Sequence, residues 1–395
     1  MIKRVSIRSF KTLENVEVDL GNINVFIGAN GSGKSNLLEA IGVLSAAADG
    51  KVNDQVLLQR GVRPGVPSLY KSSFPSVRDS SRHIFLKGES DDAEYRVSLH
   101  NPLRDPSPSW KFKTEALSEG CHKLASRGPN MAEAPNKEHG LAALKVVELK
   151  EGNSALSLMR RLQNYAIYTP TTAVLRGVAS ETQPRQPIGL SGGNLPNGIN
   201  ELLAEGKSSD IAKLVYQQSL QLISWATDYS SGKASELPLS PSANATPRVI
   251  RFVDKFMQPS RNILSGYDAS EGALYILFLA LLAGHSKSPE FCAIDNVDYG
   301  LNPGLASQLI YKFSNWFLMD PNNRQVLITS HNPAVLDGLP LTDDRVRLFI
   351  VDRDNKGKTY IKRIEITEKL LEKAKNGWTL SRLWMSKIIG GMPDV

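Results

Sequence analysis

The densest chemistry in this chain lies in Gly28-Ala-Asn-Gly-Ser-Gly-Lys-Ser35, which meets every fixed position of the phosphate-binding pattern G-x-x-x-x-G-K-[ST]. Gly28, Gly31 and Gly33 let the backbone turn its N–H groups inward around Asn30 and Ser32, and a helix starting at the loop's end adds partial positive charge. Lys34 is placed to reach β- and γ-phosphates, and the Ser35 hydroxyl to hold Mg²⁺. ATP with Mg²⁺ is therefore the expected ligand pair. A second set lies far downstream. The apolar run Phe291-Cys-Ala-Ile294 ends in Asp295, and a carboxylate at the carboxyl end of a strand beside the loop can hold the water shell of Mg²⁺. Gln325-Val-Leu-Ile-Thr329 leads into Ser330-His331-Asn332-Pro333, which puts His331 on the same sheet edge as Asp295. Ser35 and Asp295 form the candidate metal pair.

These groups need a scaffold, and the pattern supplies one. Ile23-Asn-Val-Phe-Ile27 reads as a buried strand before the loop, and Asn36 to Leu44 as a helix with apolar residues at 37, 38, 41 and 44. Gly304 to Phe317 reads as a helix between the strands ending in Asp295 and Thr329, which makes a βαβ unit. Ser270-Glu-Gly272 opens an apolar helix over 273–282, 25 residues before Asp295. Ser270 fits a helix cap; it also fits a contact to a γ-phosphate held by a second subunit, with Gly272 beside it. Leu190-Ser-Gly-Gly193 competes for that role, but it lies 104 residues before Asp295, and Asn194-Leu-Pro-Asn is expected to break any immediate helix.

Elsewhere the alternation in Val5–Phe10 and Val16–Leu20 predicts two strands around a turn, and Ile84–Lys87 with Tyr95–Leu99 a strand pair. Residues 101–138 read as a polar, Pro-rich loop excursion, 141–164 and 197–225 carry helical patterns, and Ser230–Pro247 reads as a mobile stretch. The expected organisation is a nucleotide core of 1–50 and 249–365, an insertion at 51–164, a helical lobe at 165–248 and a tail at 366–395. Asp352-Arg-Asp354, followed by Asn355-Lys-Gly357, reads as a hairpin turn rather than a metal site.

Composition sets the bounds. The chain has 395 residues, 41% of them hydrophobic, enough for a sizeable core. No run approaches the roughly 20 apolar residues of a membrane span. Cys121 and Cys292 lie far apart, in no metal-ligand spacing, which fits a reducing cytoplasm. A net charge of +7 permits contact with nucleic acid and equally serves solubility.

Together the motifs resemble the ABC-type ATPase head of the RecF, SMC and OLD group. The resemblance rests on Ile7-Arg-Ser-Phe-Lys-Thr12, Gly28–Ser35 with Asn36-Leu-Leu-Glu-Ala-Ile41, Ser270-Glu-Gly272, Ile294-Asp295, Gly300-Leu-Asn-Pro303 and Thr329-Ser-His331. It implies an α/β P-loop NTPase head with an inserted arm, two heads sandwiching two ATP molecules, and Ser270 acting across the dimer. Asn30 and the Ser35-Asn36 pair are typical of the group's loops, and Lys11 stands where members often have a basic residue near the nucleotide. Leu301-Asn-Pro303 matches the loop that crosses the interface.

The chain departs from the group where turnover is decided. Asn296 stands where the group usually has Glu, and an amide cannot take a proton from water at neutral pH. Asp298 is the nearest substitute, and Asn302 stands where members often have His. Slow hydrolysis is therefore expected. There is no heptad run for a long coiled coil, and only 64 residues follow His331, too few for the TOPRIM nuclease domain of OLD proteins. The chain most resembles the short OLD-like ATPases of bacterial antiphage systems, which act with a separately encoded, nuclease-like effector. A RecF-like repair ATPase, a non-catalytic nucleotide-dependent scaffold and a transporter subunit are the alternatives, in that order, with nucleic acid a further candidate partner.

Overall fold

The computed structural model describes residues 1–74, 83–102, 105–128, 137–142, 152–240, 246–367, 378–386 and 388. A mixed sheet at the centre positions the motifs. Its strands are β3 (Ile23–Ile27), β8 (Ile167–Tyr168), β12 (Phe291–Ile294), β13 (Gln325–Ser330), β14 (Val346–Arg353) and β15 (Thr359–Ile364), in the order β15-β14-β3-β13-β12-β8. All neighbours pair in parallel except β14 with β15. Because successive side chains point to opposite faces, each central strand feeds two cores. Val25, Ile27, Cys292, Ile294, Val326, Ile328, Leu348 and Ile350 face one core; Phe26, Ala293, Leu327, Phe349 and Val351 face the other. Parallel strands buried on both sides read as continuous apolar runs, which is why β3, β12 and β13 are legible in the sequence without alternation.

The second core lies between this sheet and an antiparallel one of order β2-β1-β4-β5-β6-β7. Its strands are β1 (Arg4–Phe10), β2 (Leu13–Asp19), β4 (Ile84–Glu89), β5 (Ala93–His100), β6 (Lys111–Glu119) and β7 (His122–Arg127). Helix α1 (Lys34–Ala48) fills the space between the two sheets and is buried on almost every face. Short helices α2 (Asp54–Leu58) and α3 (Pro67–Tyr70) follow it, and α4 (Ser154–Gln163) packs beside it.

The first core is closed by helices α5 (Thr172–Leu175), α6 (Leu195–Glu205), α7 (Asp210–Leu222), α8 (Glu271–Gly284) and α9 (Pro303–Leu318). With them lies a small antiparallel sheet, β11-β10-β9, of β9 (Ala226–Lys233), β10 (Arg248–Asp254) and β11 (Ile263–Ser265). Every residue of α8 from Ala273 to Gly284 is buried, so this helix runs through the core. Helix α10 (Ala334–Asp337) holds the C-terminal helix α11 (Leu380–Met385) through bonds from the Ser381 amide and hydroxyl to Asp337, and Leu383 and Trp384 are buried as core residues.

Several expectations are corrected. The loop excursion at 101–138 contains β6 and β7; β6 is polar in sequence, but its ladder with β5 satisfies its backbone, and its buried Glu115 accepts from Tyr95 Oη and the Leu141 amide. Residues 51–164 do not stand apart as an insertion, since β4–β7 extend the sheet begun by β1 and β2. The core also does not resume at 249. Strand β9 occupies the start of the stretch expected to be mobile and pairs with β10, so β9, β10 and β11 form one lobe, while β8 joins the central sheet from outside both expected core segments. Residues 143–151, 241–245, 368–377 and 389–395, parts of other expected segments, lie outside the described residues. No helix among the described residues is long and apolar enough to cross a membrane.

Candidate nucleotide site

The Gly28–Ser35 loop joins β3 to α1 at the carboxyl edge of the central sheet. Two glycines are required by space. A Cβ on Gly28 would lie 2.1 Å from the Val351 carbonyl oxygen, and one on Gly33, at φ +114°, would lie 2.3 Å from Thr359 Oγ1. Two threonines brace the loop from outside. Thr359 Oγ1 contacts the Ser32 carbonyl and Thr12 Oγ1, both at 2.7 Å, and Thr12 Oγ1 accepts from Asn36 Nδ2 at 2.8 Å.

The downstream residues converge on this loop. Ser35 Oγ donates to Asp295 Oδ2 at 2.9 Å, and Thr329 Oγ1 donates to Asp295 Oδ1 at 2.5 Å. Strand β13 lies between β3 and β12, and Asp295 reaches Ser35 across the end of β13, which is where Thr329 sits. Lys34 Nζ donates to the carbonyls of Gly28 at 2.8 Å and Ala29 at 2.9 Å, and lies 3.4 Å from His331 Nδ1. Burial pulls the Lys34 pKa down to about 8, against the opposing charges of Asp295 and Asp298. Burial first, and Lys34 second, push His331 below its usual value, so the imidazole is neutral at pH 7.

The loop after Asp295 carries the group's departure. Asn296 sits at φ +57°, a left-handed conformation that Asn tolerates better than Glu, and its amide donates to Thr329 Oγ1 at 2.8 Å. Its side chain is exposed. Asp298 faces inward: its charge is felt by Lys34 and His331, and its buried Oδ1 has no hydrogen-bond partner among the described residues. Asn302 caps α9 by accepting from the Leu305 amide. Lys11, at φ +48°, pairs with buried Glu39 of α1, which also takes Arg63 at 2.5 Å; its ammonium lies 5.0 Å from the Tyr70 ring centroid. Its cation is thus engaged with α1.

Ser270 caps α8 by accepting from the Ala273 amide at 3.3 Å, and Gly272 packs against Leu305 and Leu301. Asn194-Leu-Pro-Asn does not break a helix. Helix α6 starts at Leu195, because Pro196 falls in the first turn, where no N–H is needed. The Leu190–Gly193 loop thus does open a helix, but its amides are occupied: Glu181 Oε2 accepts from Ser191 N at 3.0 Å and Gly193 N at 3.1 Å. Asp352 lies in β14 and Asp354 opens the β14–β15 turn, where its Oδ1 accepts from the amides of Lys356 and Lys358.

Two segments of the chain match family models: residues 1–99 an "AAA ATPase domain", and residues 174–337 an "AAA domain, putative AbiEii toxin, Type IV TA system". The structure is similar to that of an SmcHead bound to the C-winged helix domain of ScpA, with TM-score 0.54 at 12% identity over 94% of this chain and 99% of that one. It is also similar to an Smc head domain with an extended coiled coil, bound to the C-terminal domain of ScpA and derived from Pyrococcus furiosus, with TM-score 0.50 at 11% identity over 98% and 99%. The fold is that of an ABC-type ATPase head. In sequence, 111 residues are 29% identical to the DNA replication and repair protein RecF of Rhodococcus erythropolis. That match covers 27% of this chain and about a quarter (25%) of the relative's length.

The sequence pattern did not single out Thr329, Thr12, Thr359 or Glu181 for their roles. Thr329 had one signal, a hydroxyl closing a fully apolar strand. The others act through contacts 10 to 347 residues away in sequence, which no local pattern carries.

Proposed function

We propose that this head binds ATP with Mg²⁺ in the Gly28–Ser35 loop and closes on a second copy. The carrying observation is that Asp295, 260 residues from Ser35, takes the Ser35 hydroxyl on one oxygen and Thr329 on the other. A hydroxyl and a carboxylate held together are hard oxygen donors suited to Mg²⁺, which when bound would offset charge on the phosphates. Lys34, held in the loop by two carbonyls, exchanges them for β- and γ-phosphate oxygens. Neutral His331 beside it accepts or donates one hydrogen bond without adding charge. Hydrolysis is slow, because Asn296 cannot remove a proton; among the described residues, Asp295 and Asp298 are the carboxylates whose charge acts on Lys34.

Ser270 of one head completes the site of the other. Scattering of wild type and Ser270→Arg, with and without ATP, tests this: wild type gains mass with ATP and the variant does not, while both bind ATP. Equal masses in all four samples would overturn head closure.

The finer reading is that the ATP-driven dimer biases a separately encoded, nuclease-like effector in bacterial antiphage defence, within the cytoplasm. The match of residues 174–337 to a toxin–antitoxin AAA family leans that way. The RecF match supports a second reading, a DNA-repair ATPase. ATP-dependent loading on DNA in the absence of any partner protein favours repair; a stable complex with a nuclease encoded beside it favours defence.

A further inference from the structure

Between β10 and β11 the chain runs out as a finger, Lys255-Phe256-Met257-Gln258-Pro259-Ser260-Arg261, in which every residue is exposed. Phe256, 78% exposed, is the most exposed large apolar side chain among the described residues, and Met257 beside it is 46% exposed. The finger is held in shape. Asp254 Oδ1 accepts from the amides of Phe256 at 2.7 Å and Met257 at 3.2 Å. Asp254 N donates to Asn262 O, Arg261 N to Gln258 O, and Lys255 N to Trp225 O, all within 3.0 Å. Lys255 Nζ lies 5.0 Å from the Phe256 ring centroid.

We propose that this finger is a wedge for duplex DNA, with Phe256 and Met257 entering between base pairs and Lys255 and Arg261 on the flanking phosphates. Three arguments select that occupant. A protein interface needs about 800 Å² per partner, with Lys depleted from its centre; here two apolar side chains stand among exposed polar residues, with a Lys directly on the ring. A single-strand platform stacks successive bases on several aromatics, and this finger has one. A wedge between base steps needs only an apolar pair, such as Phe and Met, with cations beside it. Asp254 Oδ1 is engaged by the turn amides, and its negative charge stands against the two cations Lys255 and Arg261. Arg251, on the strand below, faces Asp228 at 3.6 Å.

The proposal is independent of the ATPase reading, so its test is run without nucleotide. The full chain is titrated with a 30-base-pair duplex carrying 2-aminopurine, across a range of salt. Wild type should raise the 2-aminopurine fluorescence as bases unstack. Phe256→Ala/Met257→Ala should abolish that rise and leave the salt slope intact. Lys255→Ala/Arg261→Ala should weaken binding and reduce the log–log salt slope by about 2. All four side chains are exposed, so the variants should melt as wild type does. No duplex binding by wild type, or fluorescence and slopes unchanged in both variants, would overturn the wedge. So would binding to phosphatidylserine vesicles that is lost in Phe256→Ala/Met257→Ala while duplex binding persists, which would make the finger a membrane contact.

Discussion

Two glycine-rich loops in this chain each lead into a helix, and they have opposite fates. The Gly28–Ser35 loop holds a lysine on its own carbonyls and turns toward Asp295 and His331. The Leu190–Gly193 loop has its amides filled by the Glu181 carboxylate, and a Cβ on Gly193 would lie 2.4 Å from Glu181 Cβ. Glycines and a helix N-terminus are common to both. What differs is the charge that tertiary packing brings to the amides. An internal carboxylate satisfies such a nest as an anion would and leaves it no capacity for a phosphate. A lysine at the loop's end keeps the first loop cationic. The spelling of a motif therefore does not make a phosphate site; the groups that reach it do.

The largest effect should come from the lysine. Lys34→Ala removes two charge-assisted bonds of about 1.5–3 kcal/mol each, so ATP affinity by calorimetry should fall at least roughly a hundredfold. Unchanged affinity would erase the distinction between the loops.

Turnover sharpens the role of the segment after Asp295. Asp298→Asn should lower single-turnover hydrolysis roughly a hundredfold with ATP affinity kept, the low end of general-base contributions of about 10²–10⁴. Asn296→Glu should raise turnover but lower stability by roughly 1 kcal/mol, since Glu must adopt the left-handed backbone at φ +57°. Hydrolysis that is indifferent to both substitutions would show that neither position handles the water.

The Lys34 ammonium, with its pKa drawn down to about 8, makes binding pH-dependent. Below that pH the free protein already carries the proton. Above it the amine is neutral and ATP must recruit a proton, so affinity should fall by up to about tenfold per pH unit. Calorimetry in buffers of different ionisation enthalpy should register far more proton uptake by this group at pH 9 than at pH 7. The Leu190–Gly193 loop should not contribute to this dependence.

The smallest effect should come from the second loop. Glu181→Ala strands the amides of Ser191 and Gly193, at a cost of roughly 1–3 kcal/mol, visible as a melting midpoint lower by a few degrees. ATP affinity and ATP-dependent association should stay as in wild type. Loss of association instead would return the Leu190–Gly193 loop to the role assigned to Ser270.

The sequence by itself determined the elements whose signals are local. β3, α1, β12, α9 and β13 fall where continuous apolar runs, cap residues and 3.6-residue spacing place them, because a strand buried on both faces and a helix through the core must be apolar regardless of partner. It also determined the loop with Lys34 and Ser35, since the phosphate pattern is contiguous. Tertiary structure decided what depends on pairing. β6 exists through its ladder with β5, and β7 through its ladder with β6, rather than through their own polar sequences, and β9 through its ladder with β10. Tertiary structure also set β13 between β3 and β12, so that Thr329 orients Asp295, and engaged Lys11 with Glu39. It delivered Glu181 to one glycine loop and Asp298 to the other site. Hydrogen bonds and ion pairs between residues tens to hundreds of positions apart leave no periodic trace in a single chain; they come into being only when the sheets and helices that carry them have packed.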